Sequence, residues 1–262
     1  MDIFVLLLFS ILVYLLPNNN NYLGVKSTTG LKGFLALGIV FHHLSQSVST
    51  GGEFINFKYM GTYIVSVFFF LSAYGLYVQN ERKENYLNNF LTKRLARVVI
   101  PALFVSGIYI VYFVFNKQIL PVSYFINLFV KGATIIVNGW FVDVIILLYM
   151  FFYISFKVFS DKGSAIFCNT IFVIIYIILA IILKYDFWWY NSTLPFVVGL
   201  VWGKYKANID DLLNNNYFML LMILTGLLFI SHHYDFLLRR MDLVNKYSLA
   251  LVANVDNVIF TI

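Results

Sequence analysis

Lys32 and His43 stand eleven residues apart in one apolar run, 31–44, that also carries His42. At ~100° per residue, an eleven-residue step in a helix returns to within ~20° of the same face, about 16 Å along the axis. His42 falls roughly 80° away from that face. An ammonium and an imidazole are costly to place in lipid, so such positions are functional candidates by default. Imidazole is the side chain tuned to take and return a proton near neutral pH. His43 is therefore the candidate general base for an attacking hydroxyl, and His42, one residue away, is its rival. Lys32 either neutralises an anionic group or extends its ammonium to the headgroup layer.

A second cationic group lies further along. Arg94 and Arg97 are three residues apart and share a helix face, and guanidinium forks suit phosphate oxygens. Retention of cations on the cytoplasmic side explains the same residues without a ligand. Asp143 follows Trp140 in an apolar run. The carboxylate could orient a histidine or accept from sugar hydroxyls, and the indole could stack on a sugar ring; an interfacial aromatic belt is the plainer account of Trp140. Ser72 has a nucleophile's hydroxyl, but a helix–helix hydrogen bond is its ordinary use. Gly199 and Gly203 read as a close helix contact. Asn254, Asp256 and Asn257 are polar within an apolar run and must face protein or a water-filled cavity. Tyr185, Trp188, Trp189 and Tyr190 read mainly as an interfacial belt. The single cysteine, Cys168, excludes an internal disulfide, and no metal-ligand spacing is present.

The elements that position these residues follow from composition. Of 262 residues, 61% are hydrophobic and 11% charged, against about 25% charged in soluble domains. With a mean hydropathy of +0.83, the chain reads as an all-α, polytopic transmembrane helical bundle in one domain, 1–262. Its net charge of +6 reports cationic loops and anionic headgroups rather than nucleic acid. Measured against the ~20 residues that cross a bilayer, nine spans are expected: 3–16, 31–49, 60–79, 98–115, 139–158, 164–183, 188–203, 217–231 and 247–262. The segment 123–137 reads as re-entrant or interfacial. One set of alternate loops holds ten Lys and Arg and the other seven. This places the 80–97 loop in the cytoplasm, the N-terminus outside, and Lys32 at the cytoplasmic end of its span.

Several of these segments, in order, resemble one family. Thr29-Gly-Leu-Lys-Gly-Phe-Leu-Ala-Leu-Gly-Ile-Val-Phe-His-His-Leu44 is similar to the opening helix of the acyltransferase 3 family of integral membrane O-acyltransferases, which carries an arginine, ten residues, then a histidine. Ser66-Val-Phe-Phe-Phe-Leu-Ser-Ala-Tyr-Gly75 resembles its phenylalanine-rich motif, and Phe90-Leu-Thr-Lys-Arg-Leu-Ala-Arg-Val-Val-Ile-Pro101 its basic cytoplasmic motif. Gly139-Trp-Phe-Val-Asp143 and Leu194-Pro-Phe-Val-Val-Gly-Leu-Val-Trp-Gly203 are weaker echoes. The resemblance covers about 27–205.

It implies a multi-pass enzyme of a bacterial cell membrane that moves an acetyl or similar acyl group from acyl-CoA, with acetyl-CoA the expected donor, to a hydroxyl of a surface polysaccharide or glycolipid. His43, His42 and Asp143 would then serve catalysis; Lys32, Arg94 and Arg97 would hold donor phosphates; Trp140 and Asp143 would meet the acceptor. Two departures stand out. The family's arginine is Lys32 here, which keeps the charge but loses the bidentate fork. The last apolar run also ends at Ile262, where further spans are expected, so the C-terminus reads as short. A glycan transporter or flippase, or a catalytically inactive relative, fits the same composition.

Overall fold

The computed structural model describes residues 21–48, 54–116, 138–240 and 245–262, the backbone alone from 232 to 240. The expected first span and the 123–137 segment lie outside these residues. Among the described residues eight α-helices follow one another: α1 Val25–Ser47, α2 Met60–Arg82, α3 Phe90–Phe115, α4 Trp140–Val158, α5 Lys162–Ile182, α6 Leu194–Lys204, α7 Lys206–Arg240 and α8 Lys246–Thr261. No strand occurs among the described residues. Five stretches among the described residues are long and apolar enough to cross a membrane: Met60–Arg82, Tyr86–Phe115, Trp140–Val158, Lys162–Ile182 and Lys206–Ser231. The chain is an all-helical membrane protein.

Helix α2 is the spine. Its buried residues Phe69, Ala73 and Leu76 pack with Phe90 of α3, Leu148 and Phe152 of α4, and Phe196 and Leu200 of α6. The contact with α6 is closest because two glycines face it. A Cβ built on Gly199 would lie 2.3 Å from the carbonyl oxygen of Phe70, and one on Gly203 would lie 2.6 Å from the Tyr77 ring. These are the two glycines whose four-residue spacing marks a close helix contact.

Helices α1 and α2 run antiparallel. Ile64 lies over Gly38, and His42 lies over Gly61. Carried along at equal rise, this register sets Lys32 level with about Phe70 to Ser72 of α2.

Side chains cap the starts of α5 and α8. The Asp161 carboxylate accepts from the Ser164 backbone N–H (2.7 Å) at the start of α5. Asn245 and Ser248 close a reciprocal capping box at the start of α8.

The apolar run 188–203 is not a span. Helix α6 has 11 residues, about 16 Å of rise, and is preceded by a 3₁₀ turn at Phe187–Trp189 and an irregular stretch to Thr193. Asn191, Ser192 and Thr193 are nevertheless buried. Irregular backbone at such depth requires partners for its polar groups, and α8 supplies them. Asn254 Oδ1 accepts from the Leu194 N–H (3.1 Å), and its Nδ2 donates to the Tyr190 carbonyl (2.9 Å). Asn257 Nδ2 donates to the Asn191 carbonyl (3.0 Å). The asparagines that interrupt the apolar pattern of α8 thus replace the missing turns of the helix at 190–194. Trp189 and Tyr190, read from sequence as interfacial, are buried in this junction.

Candidate functional site

Where α1 ends and α2 begins, the bundle opens into a cavity of about 1330 Å³. His42, His43 and Gln46 line it from α1, Tyr63 from α2, Asn138 and Trp140 from the start of α4, Tyr185 and Trp188 from the turn before α6, and Asp256 and Asn257 from α8. Residues more than two hundred positions apart are thus brought to one chamber. Aromatic faces, a pair of imidazoles and a few amides and carboxylates are the wall chemistry of a site for a large polar molecule.

The two histidines are held differently. His42 is wedged over Gly61; its Nδ1 lies 3.0 Å from the Phe57 carbonyl oxygen and its Nε2 lies 3.1 Å from Gln46 Nε2. His43 has its Nδ1 3.3 Å from Gln46 Oε1 and 3.2 Å from the Asn138 amide. The rings are 5.1 Å apart. Asn138 reaches His43 because it adopts a left-handed conformation (φ 62°) in the turn that starts α4, a region asparagine tolerates better than most residues.

Sequence reasoning missed both Gln46 and Asn138. Gln46 was detectable: it stands four residues from His42 and three from His43, the spacings that share a helix face. Asn138 carried no comparable signal, since only the fold brings the start of α4 to the end of α1.

Trp140 lines the cavity, its ring 6.4 Å from that of Trp189. Asp143 lies on the next turn of α4. It does not line the cavity; it is exposed at the helix surface, within electrostatic reach of Tyr176 on α5. The side chains within hydrogen-bond distance of His43 are Gln46 and Asn138, so they occupy the orienting position expected of Asp143.

The cations gather in a second place, deeper along α1. Lys32 is half-buried and within electrostatic reach of Arg94. Arg94 Nε donates to Tyr86 Oη (3.0 Å), and its guanidinium sits 6.0 Å from the centre of that ring. Tyr149 also feels Arg94 and meets the Ser72 hydroxyl, so Ser72 makes the helix–helix contact that its type suggests. Among the described residues, neither Lys32, Arg94 nor Arg97 pairs with a carboxylate; the ion pairs there are Lys162–Glu81 and Lys206–Asp210. Two like charges within electrostatic reach of each other and without a carboxylate partner form a local positive field suited to an anion. Arg97, one turn further along α3, is exposed.

The model of an acyltransferase domain, that of the acyltransferase 3 family, matches residues 25–260. The chain belongs to the acyltransferase 3 family. No curated protein and no solved structure matches it. The match begins at the first residue of α1 and runs through α8, beyond the 27–205 over which the motifs are legible. The cavity walls from α1, α2, α4 and α8 therefore all belong to the acyltransferase domain, and the chain is an acyltransferase.

Proposed function

We propose that this acyltransferase moves an acetyl or other short acyl group from acyl-CoA to a hydroxyl of a cell-surface polysaccharide or glycolipid. The observation that carries this reading is the placement of the histidine pair in a large aromatic-walled cavity, with Lys32 about 16 Å away along the same helix and Arg94 of α3 within its electrostatic reach. That separation is of the order of the extended pantetheine arm joining the phosphates of CoA to its thioester. Donor phosphates at Lys32 and Arg94 would bring the acyl carbon to the inner end of the cavity. An acceptor sugar held against Trp140, Tyr185 and Trp188 would bring a hydroxyl to the histidines from the other side.

The chemistry required is modest. A hydroxyl attacks the thioester carbonyl while an imidazole of the pair takes its proton; the C–S bond then breaks, and the imidazolium returns the proton to the departing thiolate. CoA and the glycan ester are the products. The loop charges favour a cytoplasmic 80–97 loop, which puts the cation pair toward the compartment where acyl-CoA is made and the cavity mouth toward the outside.

The test is glycan O-acylation in cells expressing wild type, His43→Ala, or a variant with both His42 and His43 replaced. Wild type is expected to add acyl groups, and the double replacement to add none. Acylation that persists in the double replacement would remove the histidines from the chemistry. A wild type that adds no acyl group while glycan export depends on it would favour the transporter reading.

A further inference from the structure

The neighbours of the two histidines assign a proton to each ring, and the assignment singles out Gln46. The chain of contacts begins at the Phe57 carbonyl, which can only accept a hydrogen bond. His42 Nδ1, 3.0 Å away, must therefore carry the hydrogen. In neutral His42 this leaves Nε2 as a bare acceptor, and the group 3.1 Å from it must donate. The amide end of Gln46 that faces His42 is then its NH₂, and the opposite end, 3.3 Å from His43 Nδ1, is the carbonyl oxygen. A carbonyl facing His43 requires a hydrogen on Nδ1. Amide nitrogen and oxygen exchange places by a half-turn, but the Phe57 carbonyl fixes which way Gln46 faces. Asn138 has its Nδ2 3.2 Å from the same Nδ1; an NH₂ cannot accept from Nδ1–H, so this tautomer requires the half-turn of the Asn138 amide that brings its oxygen to that place, a turn the Phe57 carbonyl does not oppose.

We propose that Gln46 is a positioning residue that holds neutral His43 as the Nδ1–H tautomer, so that His43 Nε2 is the bare nitrogen of the pair that accepts the acceptor hydroxyl's proton. His42 is thereby excluded as the base: its only lone pair is taken by Gln46, and its Nδ1–H is taken by Phe57. His42 serves instead to orient Gln46. In the transfer step, His43 Nε2 takes the proton as the O–C bond forms. The imidazolium keeps its Nδ1–H on Gln46 Oε1, and Nε2 gives the proton to the thiolate as the C–S bond breaks. This reading rests on the acyl-transfer function proposed above for its catalytic part, but not for the tautomer itself.

The experiment uses full-length protein labelled with ¹⁵N-histidine in lipid nanodiscs, the four histidines assigned by single substitution. A bare imidazole nitrogen resonates far downfield of a protonated one, so the spectrum reads each tautomer directly. At neutral pH, wild type is expected to show protonated Nδ1 and bare Nε2 on both His42 and His43. Gln46→Leu should let His43 exchange between tautomers and lower kcat about three- to tenfold, the worth of one neutral hydrogen bond, with KM for both substrates unchanged. Gln46→Glu should restore the His43 signature and kcat, because a carboxylate also accepts from Nδ1–H, while drawing a second proton onto His42.

A wild-type spectrum with the hydrogen of His43 on Nε2 overturns the proposal whatever the variants do. So does a Gln46→Leu protein whose His43 spectrum and kcat match wild type. If the tautomers are as stated but wild type transfers no acyl group from acetyl-CoA, the positioning role stands and the acyl-transfer reading fails.

Discussion

The ring of His42 occupies the space a side chain at position 61 would need: a Cβ built on Gly61 would lie 2.4 Å from His42 Nε2. That nitrogen is also the one facing Gln46, so the glycine of α2 and the hydrogen-bond chain of α1 meet at a single atom. Gly61→Ala must push the ring aside and break its links to Phe57 and Gln46 together. The expected outcome is a loss of acyl transfer of about three- to tenfold, the same as for Gln46→Leu, because His42 acts through Gln46 and the worth at stake is that of its hydrogen bonds. A melting temperature close to wild type is expected beside it. Activity and thermal denaturation of the same purified preparation check this; a Gly61→Ala protein as active as wild type would mean that His42 does not set the site.

The contact of α2 with α6 behaves differently, because there the obstruction is backbone. A methyl at residue 199 would meet the Phe70 carbonyl oxygen at 2.3 Å and Ala73 Cβ at 2.9 Å, and neither can turn away. Overpacking a tight interface costs about 1–3 kcal/mol. Gly199→Ala is expected to lower the melting temperature in nanodiscs, and Gly199→Leu to prevent assembly. At Gly203 the obstruction is the Tyr77 ring, a side chain that can move, so Gly203→Ala should cost less.

Asn254 can be tested against its apolar isostere. Asn254→Leu takes the amide partner from the Leu194 N–H and the Tyr190 carbonyl. The orphaned Leu194 N–H costs about 1–3 kcal/mol, and the Tyr190 carbonyl keeps only a long contact from Thr193 Oγ1 (3.4 Å), so the variant should unfold at markedly lower denaturant than wild type. Hydrogen exchange should show the loss concentrated at 190–194. Uniform destabilisation across the bundle would argue that Asn254 merely packs.

These cases show why some of the molecule was legible in sequence and some was not. The helices at 60–79, 139–158 and 164–183 were readable because a long apolar run has few other uses. The run at 188–203 misled because burial inside protein and burial in lipid select the same residues. The clue to its break lay some sixty residues away, in Asn254 and Asn257. The histidines and Trp140 stood out by type, whereas their assembly into one chamber did not, because the turn at Asn138 and the register of α1 on α2 leave no periodic trace. The level of Lys32 against α2 leaves no such trace either, because it is set by Gly38 and Gly61, which fix how far α1 slides along α2.

Asp161 offers a check of local structure through pH. Hydrogen bonds from the Ser164 backbone N–H and hydroxyl hold its carboxyl below the ordinary value. With the folded value depressed, the stabilisation is fully present above the unfolded pKa, about 3.9. It is lost as pH falls through the folded value. Melting curves from about pH 5 downward should show wild type losing its advantage over Asp161→Ala, with Asp161→Asn, a neutral cap, lacking that pH-dependent component. Parallel curves for wild type and Asp161→Asn would mean that the α5 cap does not titrate with folding.

The cation pair can be tested by shortening the donor rather than the protein. If Lys32 and Arg94 hold donor phosphates, Lys32→Gln and Arg94→Gln should each raise KM for acetyl-CoA by about 10- to 100-fold, the worth of one charged hydrogen bond. Neither should change KM for acetyl-pantetheine, which has the same thioester and no phosphate. Lys32→Arg should act like wild type or better, because the fork regains the second contact that an ammonium cannot make. The double variant should lose less than the sum of the singles if both cations share one phosphate group. Equal damage to both donors would assign the pair to packing between α1 and α3, since a packing defect cannot distinguish one thioester from the other.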